Sequence, residues 1–177
     1  MKKILIHIGL IITFIIIYLL QTIFFSEFTI AGIMPNLFVI LMLYIGLYMG
    51  RTMGIIYGII YGIFIDMWIG KTLGLTSITL ALIGVLGGIF DKTFSKDSRI
   101  TVLLMGIVCT IIYEIVLYFM QYMIFSINIE IIQFLTILLV EVIYNILLII
   151  ILYPLMKVTG NEIENEIKGD TILTKYF

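Results

Sequence analysis

A chain of 177 residues, 63% of them apolar and only 12% charged, with a mean hydropathy of +1.27, holds more hydrocarbon than a water-soluble domain of this size can bury; soluble norms are about 45–50% apolar and about 25% charged. The net charge of −1 is nearly neutral, and the basic patch that a nucleic-acid partner would call for is absent, so no nucleic acid is expected. The single cysteine, Cys109, lies mid-span between Val108 and Thr110, so it can form no internal disulfide and reads as a small apolar packing residue.

A bilayer crossing needs about 20 apolar residues, with about 17 to 25 tolerated. Six such segments are predicted in chain order: Ile4 to Phe25, Pro35 to Met49, Met53 to Ile69, Leu73 to Phe90, Ile100 to Phe125 and Glu130 to Leu155. Lys2 and Lys3 ahead of the first resemble the start of a signal peptide. The run that follows is longer than an h-region of about 7–15 residues and has no small-x-small cleavage site near Ser26, which predicts an uncleaved first span. His7, the only histidine, is expected near the inner interface. Only Arg51 and Thr52 interrupt the apolar run of the second and third spans. An arginine at the centre of a span costs at least about 2.5 kcal/mol, so Arg51 is expected to mark a tight interfacial turn.

With the amino terminus inside, Lys2, Lys3, Arg51, Lys92, Lys96, Arg99, Lys157, Lys168 and Lys175 fall on the cytoplasmic side and only Lys71 falls outside. That asymmetry follows the positive-inside rule. It predicts an all-α integral membrane fold, a compact six-transmembrane-helix bundle with both termini cytoplasmic. Residues 1–157 form the membrane domain. Residues 158–177, where Glu162, Glu164 and Glu166 alternate with Ile163, Asn165 and Ile167, form a short polar cytoplasmic tail.

Inside the second and third spans, Gly46, Gly50, Gly54, Gly58 and Gly62 recur every four residues, and the same step reaches Asp66, Gly70 and Gly74. Residues four apart share a helix face. Glycine costs about 1 kcal/mol against alanine within a helix, so a bare face is useful where another helix must come very close. Three acids lie within spans: Asp66 near an outer end, and Glu114 and Glu141 near the middle of two adjacent antiparallel spans. Glu114 shares its face with Tyr118 and Gln121, and Glu141 with Asn145. At one depth they are expected to form an intramembrane polar network, serving as interhelical glue, as a partner surface or as a proton or ion relay. Trp68, at an outer end, reads as an interfacial anchor.

Enzymatic chemistry lacks its residues. There is no His-Glu-x-x-His motif for a zinc site, no second intramembrane aspartate for an aspartyl dyad, no nucleophile paired with a base and no phosphate-binding loop of the strand-turn-helix kind. No catalytic residue, metal or cofactor is expected.

The stretch Pro35-Asn36-Leu37, the ladder Gly54-x-x-x-Gly58-x-x-x-Gly62 running through Asp66 to Gly70 and Gly74, and then Gly84 with Gly87 and Gly88 resembles the rod shape-determining protein MreD family over Pro35 to Phe90. That family commonly carries aspartate after the proline. Asn36 stands there in this chain, so the resemblance carries no charge to that position. It implies a non-enzymatic adaptor of the bacterial cell-elongation machinery in the cytoplasmic membrane. Its partners would be MreC, the synthase pair of RodA and a class B penicillin-binding protein, and MreB on the cytoplasmic side. The glycines, Asp66, Pro35 and Asn36 would form helix-packing or partner contacts. A similarity in span number leaves an alternative, a small-molecule-binding subunit of an energy-coupling-factor type transporter. Its docking span should carry small residues, whereas the first span here offers only Gly9.

Overall fold

The computed structural model describes residues 2–68, 73–125 and 130–173, with side chains up to residue 167. Gly70 and Lys71 of the predicted outer turn lie outside the described residues. All elements described are helical, with one isolated bridge between Ile30 and Ile33 in the first loop.

Helix α1 occupies Lys2–Glu27 and carries a π-helical turn at Leu20–Phe24. Most of its surface is apolar and exposed; Leu10 and Phe14 face inward. Helix α2, Leu37–Met49, is buried at every one of its 13 residues. It is the axis around which the other helices are arranged. At 1.5 Å per residue it is about 20 Å long, short of a hydrocarbon core of about 30 Å. Helix α3 follows at once as Arg51–Trp68, and α4 covers Leu75–Thr93. Helices α5 (Arg99–Phe125) and α6 (Ile131–Leu173) complete the bundle.

Four described helices, α1, α4, α5 and α6, are long and apolar enough to cross a membrane. This is a coarser result than the six spans expected. Helix α2 is shorter because it is wrapped by protein instead of lipid, and α3 exchanges hydrocarbon for the ladder glycines, Arg51 and Asp66.

The α2–α3 turn differs from expectation in one residue. Gly50, not Arg51, makes it: Gly50 has φ 86° and its N–H closes α2 on the carbonyl of Gly46 at 3.0 Å, whereas Arg51 is already helical. A positive φ is accessible to glycine without steric cost, so a single residue suffices to reverse the chain.

The polar segment from Val158 continues the last helix. Helix α6 continues through Pro154 to Leu173, 43 residues or about 65 Å, and its end packs on the bundle. Thr159 meets the Tyr44 hydroxyl at 2.9 Å. The Tyr48 ring lies against Gly160, where a Cβ would sit 2.5 Å from ring carbons. Lys2 pairs with Glu166 at 2.7 Å, while Lys96 pairs with Asp91 at 2.5 Å and Glu164 at 2.6 Å. The amino terminus and this stretch of α6 therefore share one end of the bundle, called the near end below; Glu130 lies at the far end.

Candidate functional site: a sealed glycine seam and a buried polar knot

The ladder is consumed within the chain. Gly54 faces Gly84, where an added Cβ would lie 2.6 Å from the Gly84 carbonyl carbon; Gly58 faces Ala81, and Gly62 faces Ser77. Gly46 of α2 packs on Gly87 and Gly88 in the same way. Backbone meets backbone along the whole seam, so no second helix can use the face that α4 covers. Of the two roles the spacing allowed, contact inside the chain is the one seen at Gly54, Gly58 and Gly62. Gly50 and Gly74 sit at helix ends instead, with φ 86° and 102°.

Asp66 closes the far end of this seam. It is 3% exposed, and its two oxygens accept from the backbone N–H groups of Gly74 (2.8 Å), Thr76 (3.1 Å) and Ser77 (3.4 Å) and from the Ser77 hydroxyl (3.3 Å). A carboxylate there satisfies N–H groups that the first turn of α4 cannot bond internally, and it meets the positive end of the helix dipole. The acid is a structural cap.

A second knot forms where α2 begins inside the bundle. Three of its first donors find side-chain acceptors: Asn36 N–H donates to Asn145 Oδ1 (2.8 Å), Leu37 N–H to Gln21 Oε1 (3.2 Å) and Val39 N–H to Asn36 Oδ1 (3.3 Å). Gln21 Nε2 returns a bond to the Pro35 carbonyl at 2.5 Å, and Asn145 Nδ2 donates to Thr110 Oγ1 at 3.0 Å. Asn145 is eight residues, about 12 Å, along α6 from Tyr153, whose hydroxyl donates to the Asp97 carbonyl at the near end. A helix start this deep is tolerated only where protein groups replace water. Asn36, in the place the resemblance gives to aspartate, does this work with an amide.

Glu141 lies one turn above Asn145. It is 5% exposed, and its Oε1 is buried without a hydrogen-bond partner. Beyond them toward the far end, a cleft of about 350 Å³ opens between α5 and α6, with Glu114, Tyr118, Gln121, Glu130 and Gln133 supplying its polar lining. Tyr118 packs on Phe134 across it with the rings tilted by 32°, centroids 4.6 Å apart.

The family model of rod shape-determining protein MreD matches residues 1–159. The chain belongs to the MreD family. Neither the curated proteins nor the solved structures contain a match. Membership assigns a role in rod shape determination to a membrane protein of the shape machinery, in a family of shape-determining structural proteins. The apolar helices agree.

For this MreD family member, sequence reasoning missed Gln21, Thr110, Glu130 and Gln133. Gln21 could have been found as the one amide inside the first span. Thr110 gave no signal, because its hydroxyl also bonds the Gly106 carbonyl of its own helix at 2.9 Å and a threonine so satisfied needs no partner. His7 meets the Tyr57 hydroxyl, and among the described residues no group of His, Cys, Asp and Glu could hold a metal.

Proposed function

We propose that this chain is a non-enzymatic adaptor of the elongation machinery in the bacterial cytoplasmic membrane, joining MreC to RodA and its class B penicillin-binding protein, with MreB reached on the cytoplasmic side. The reading takes both termini as cytoplasmic and the bundle as six-spanning. One observation carries the adaptor role. Tyr118, Gln121, Glu130 and Gln133 form a polar strip on the far halves of α5 and α6, in a cleft lined by those two helices and the residue that precedes α6. Polar groups at membrane depth are costly unless protein or water covers them. The seam and the knot make a stiff body behind this strip, so a partner docking there is held at a fixed angle to the rest of the bundle. The transporter alternative rested on span number alone and has no observation in its favour.

Affinity capture of the tagged full chain from native membranes tests the reading. MreC, RodA and the class B penicillin-binding protein are expected to co-purify. Capture of none of them, from cells in which the tagged chain still supports rod shape, would overturn it.

A further inference from the structure

The bundle presents apolar bands of unequal height. On α3, Arg51 and Trp68 bracket an outward face of Ile55, Ile56, Ile59, Ile60, Ile63 and Met67, all exposed. Arginine is costly in hydrocarbon, and tryptophan favours the interface. The helix has 18 residues, so even upright, at about 1.5 Å per residue, it holds its brackets only about 26 Å apart. A hydrocarbon core is about 30 Å thick. In the sequence only Ile69 and Gly70 separate Trp68 from Lys71, so little apolar length follows.

Helices α5 and α6 overshoot instead. Thr110 of α5, Asn145 of α6 and Asn36 at the head of α2 are joined by hydrogen bonds and share one level. Past it α5 runs 15 residues to Phe125, about 22 Å. Leu37 and Trp68 stand 13 and 18 residues from the Gly50 turn, so α3 passes the same level by only about 8 Å. No residue of 114–125 or 131–140 is buried, as befits helices that stand clear of their neighbours. Tilting can shorten a long band to fit the bilayer, but no tilt lengthens α3 beyond its upright height. Close helix contacts in membranes use small residues, and those of α3, Gly54, Gly58 and Gly62, are all turned toward α4. The isoleucine face that remains suits acyl chains.

We propose that the α3 face holds a collar of phospholipid thinner than the surrounding bilayer, and so selects short acyl chains, while α5 and α6 stand in bilayer of full thickness. The protein thereby makes a step in the membrane beside α3. The proposal takes α3 as a crossing helix, as the six-span reading does, and is independent of the adaptor role.

Trp68 is the only tryptophan and is 71% exposed, so its fluorescence reports the lipid at α3 in the unmodified protein. The full chain is reconstituted in bilayers where a brominated eighteen-carbon phosphatidylcholine, a contact quencher, competes with unbrominated lipid of fourteen, eighteen or twenty-two carbons. At Trp68 the fourteen-carbon lipid is expected to bind about two- to fivefold more tightly than the twenty-two-carbon one, the scale of a small mismatch cost per Å summed over the difference in thickness. Phe119, 61% exposed on the far half of α5, gives the contrast: Phe119→Trp in a Trp68→Phe background should lose that preference or reverse it. Equal affinities of the three lipids at Trp68 would overturn the proposal even if the double variant does not fold, as would the same order at both probes. Absence of quenching at Trp68 would show that protein covers α3 and would overturn it too. Labelling of Thr52→Cys and Met67→Cys from one side of the bilayer would refute the crossing of α3 and with it the six-span reading, whereas a flat lipid preference leaves that reading standing.

Discussion

Replacing Gly58 by alanine would put a methyl carbon 2.5 Å from both Cα and N of Ala81 and 2.8 Å from the carbonyl carbon of Leu80. Carbon atoms rest about 3.5–4.0 Å apart, so α3 and α4 must separate by roughly 1–1.5 Å at that rung. Backbone, unlike the far end of a flexible side chain, cannot swing aside. Overpacking costs about 1–3 kcal/mol, and rigid neighbours on both flanks, Gly54 on Gly84 and Gly62 on Ser77, place this site at the upper end. Alanine returns about 1 kcal/mol of helix propensity, leaving a net loss of about 2 kcal/mol. Gly9 provides the control, because nothing lies within 4 Å of its Cβ position; Gly9→Ala should gain up to about 1 kcal/mol. Both are measured by unfolding in detergent, followed by helical circular dichroism. A Gly58→Ala protein as stable as the parent would refute the sealed seam.

The cap on α4 predicts an ordering. Asp66→Ala should lose about 1–2 kcal/mol or more, and Asp66→Asn, which keeps one acceptor oxygen, should lose less; equal losses would argue against capping. In the knot, Asn145→Ala leaves the Asn36 N–H without its acceptor and should cost about 1–3 kcal/mol, whereas Asn145→Asp, which keeps the acceptor, should recover part of it in the same unfolding assay. Lys96 is only 15% exposed in its side chain and joins Asp91 on α4 to Glu164 on α6; Lys96→Met should speed amide hydrogen exchange in 157–167 and leave that of α2 unchanged, and unaltered exchange in 157–167 would show that the pairing does not hold α6. Orientation can be read by cysteine labelling over the buried, silent Cys109: Lys3→Cys should react only after cells are permeabilised and Ile132→Cys, exposed at the far end, from outside, with the reverse pattern refuting cytoplasmic termini.

Composition and spacing were enough to fix what kind of molecule this is. An apolar content of 63% leaves membrane helices as the only economical fold, and glycines repeating every four residues can serve close helix contact wherever they point. A similar depth for Glu114 and Glu141 is likewise an expectation of the sequence, since two adjacent antiparallel helices count depth in opposite directions from one short loop. What no spacing rule could reveal is which neighbour fills a bare face. The ladder fits any helix, and only three-dimensional arrangement shows α4 occupying it through Ser77, Ala81 and Gly84. The same holds for α2. Its sequence reads as an ordinary span opening at Pro35, yet its first turn lies deep in the bundle because Gln21 and Asn145, 16 and 108 residues from Leu37, bring acceptors to its opening N–H groups. Hydrophobicity is a property of each residue and can be summed along a chain. Hydrogen-bond satisfaction is a property of pairs, and the pairs here are made by the fold.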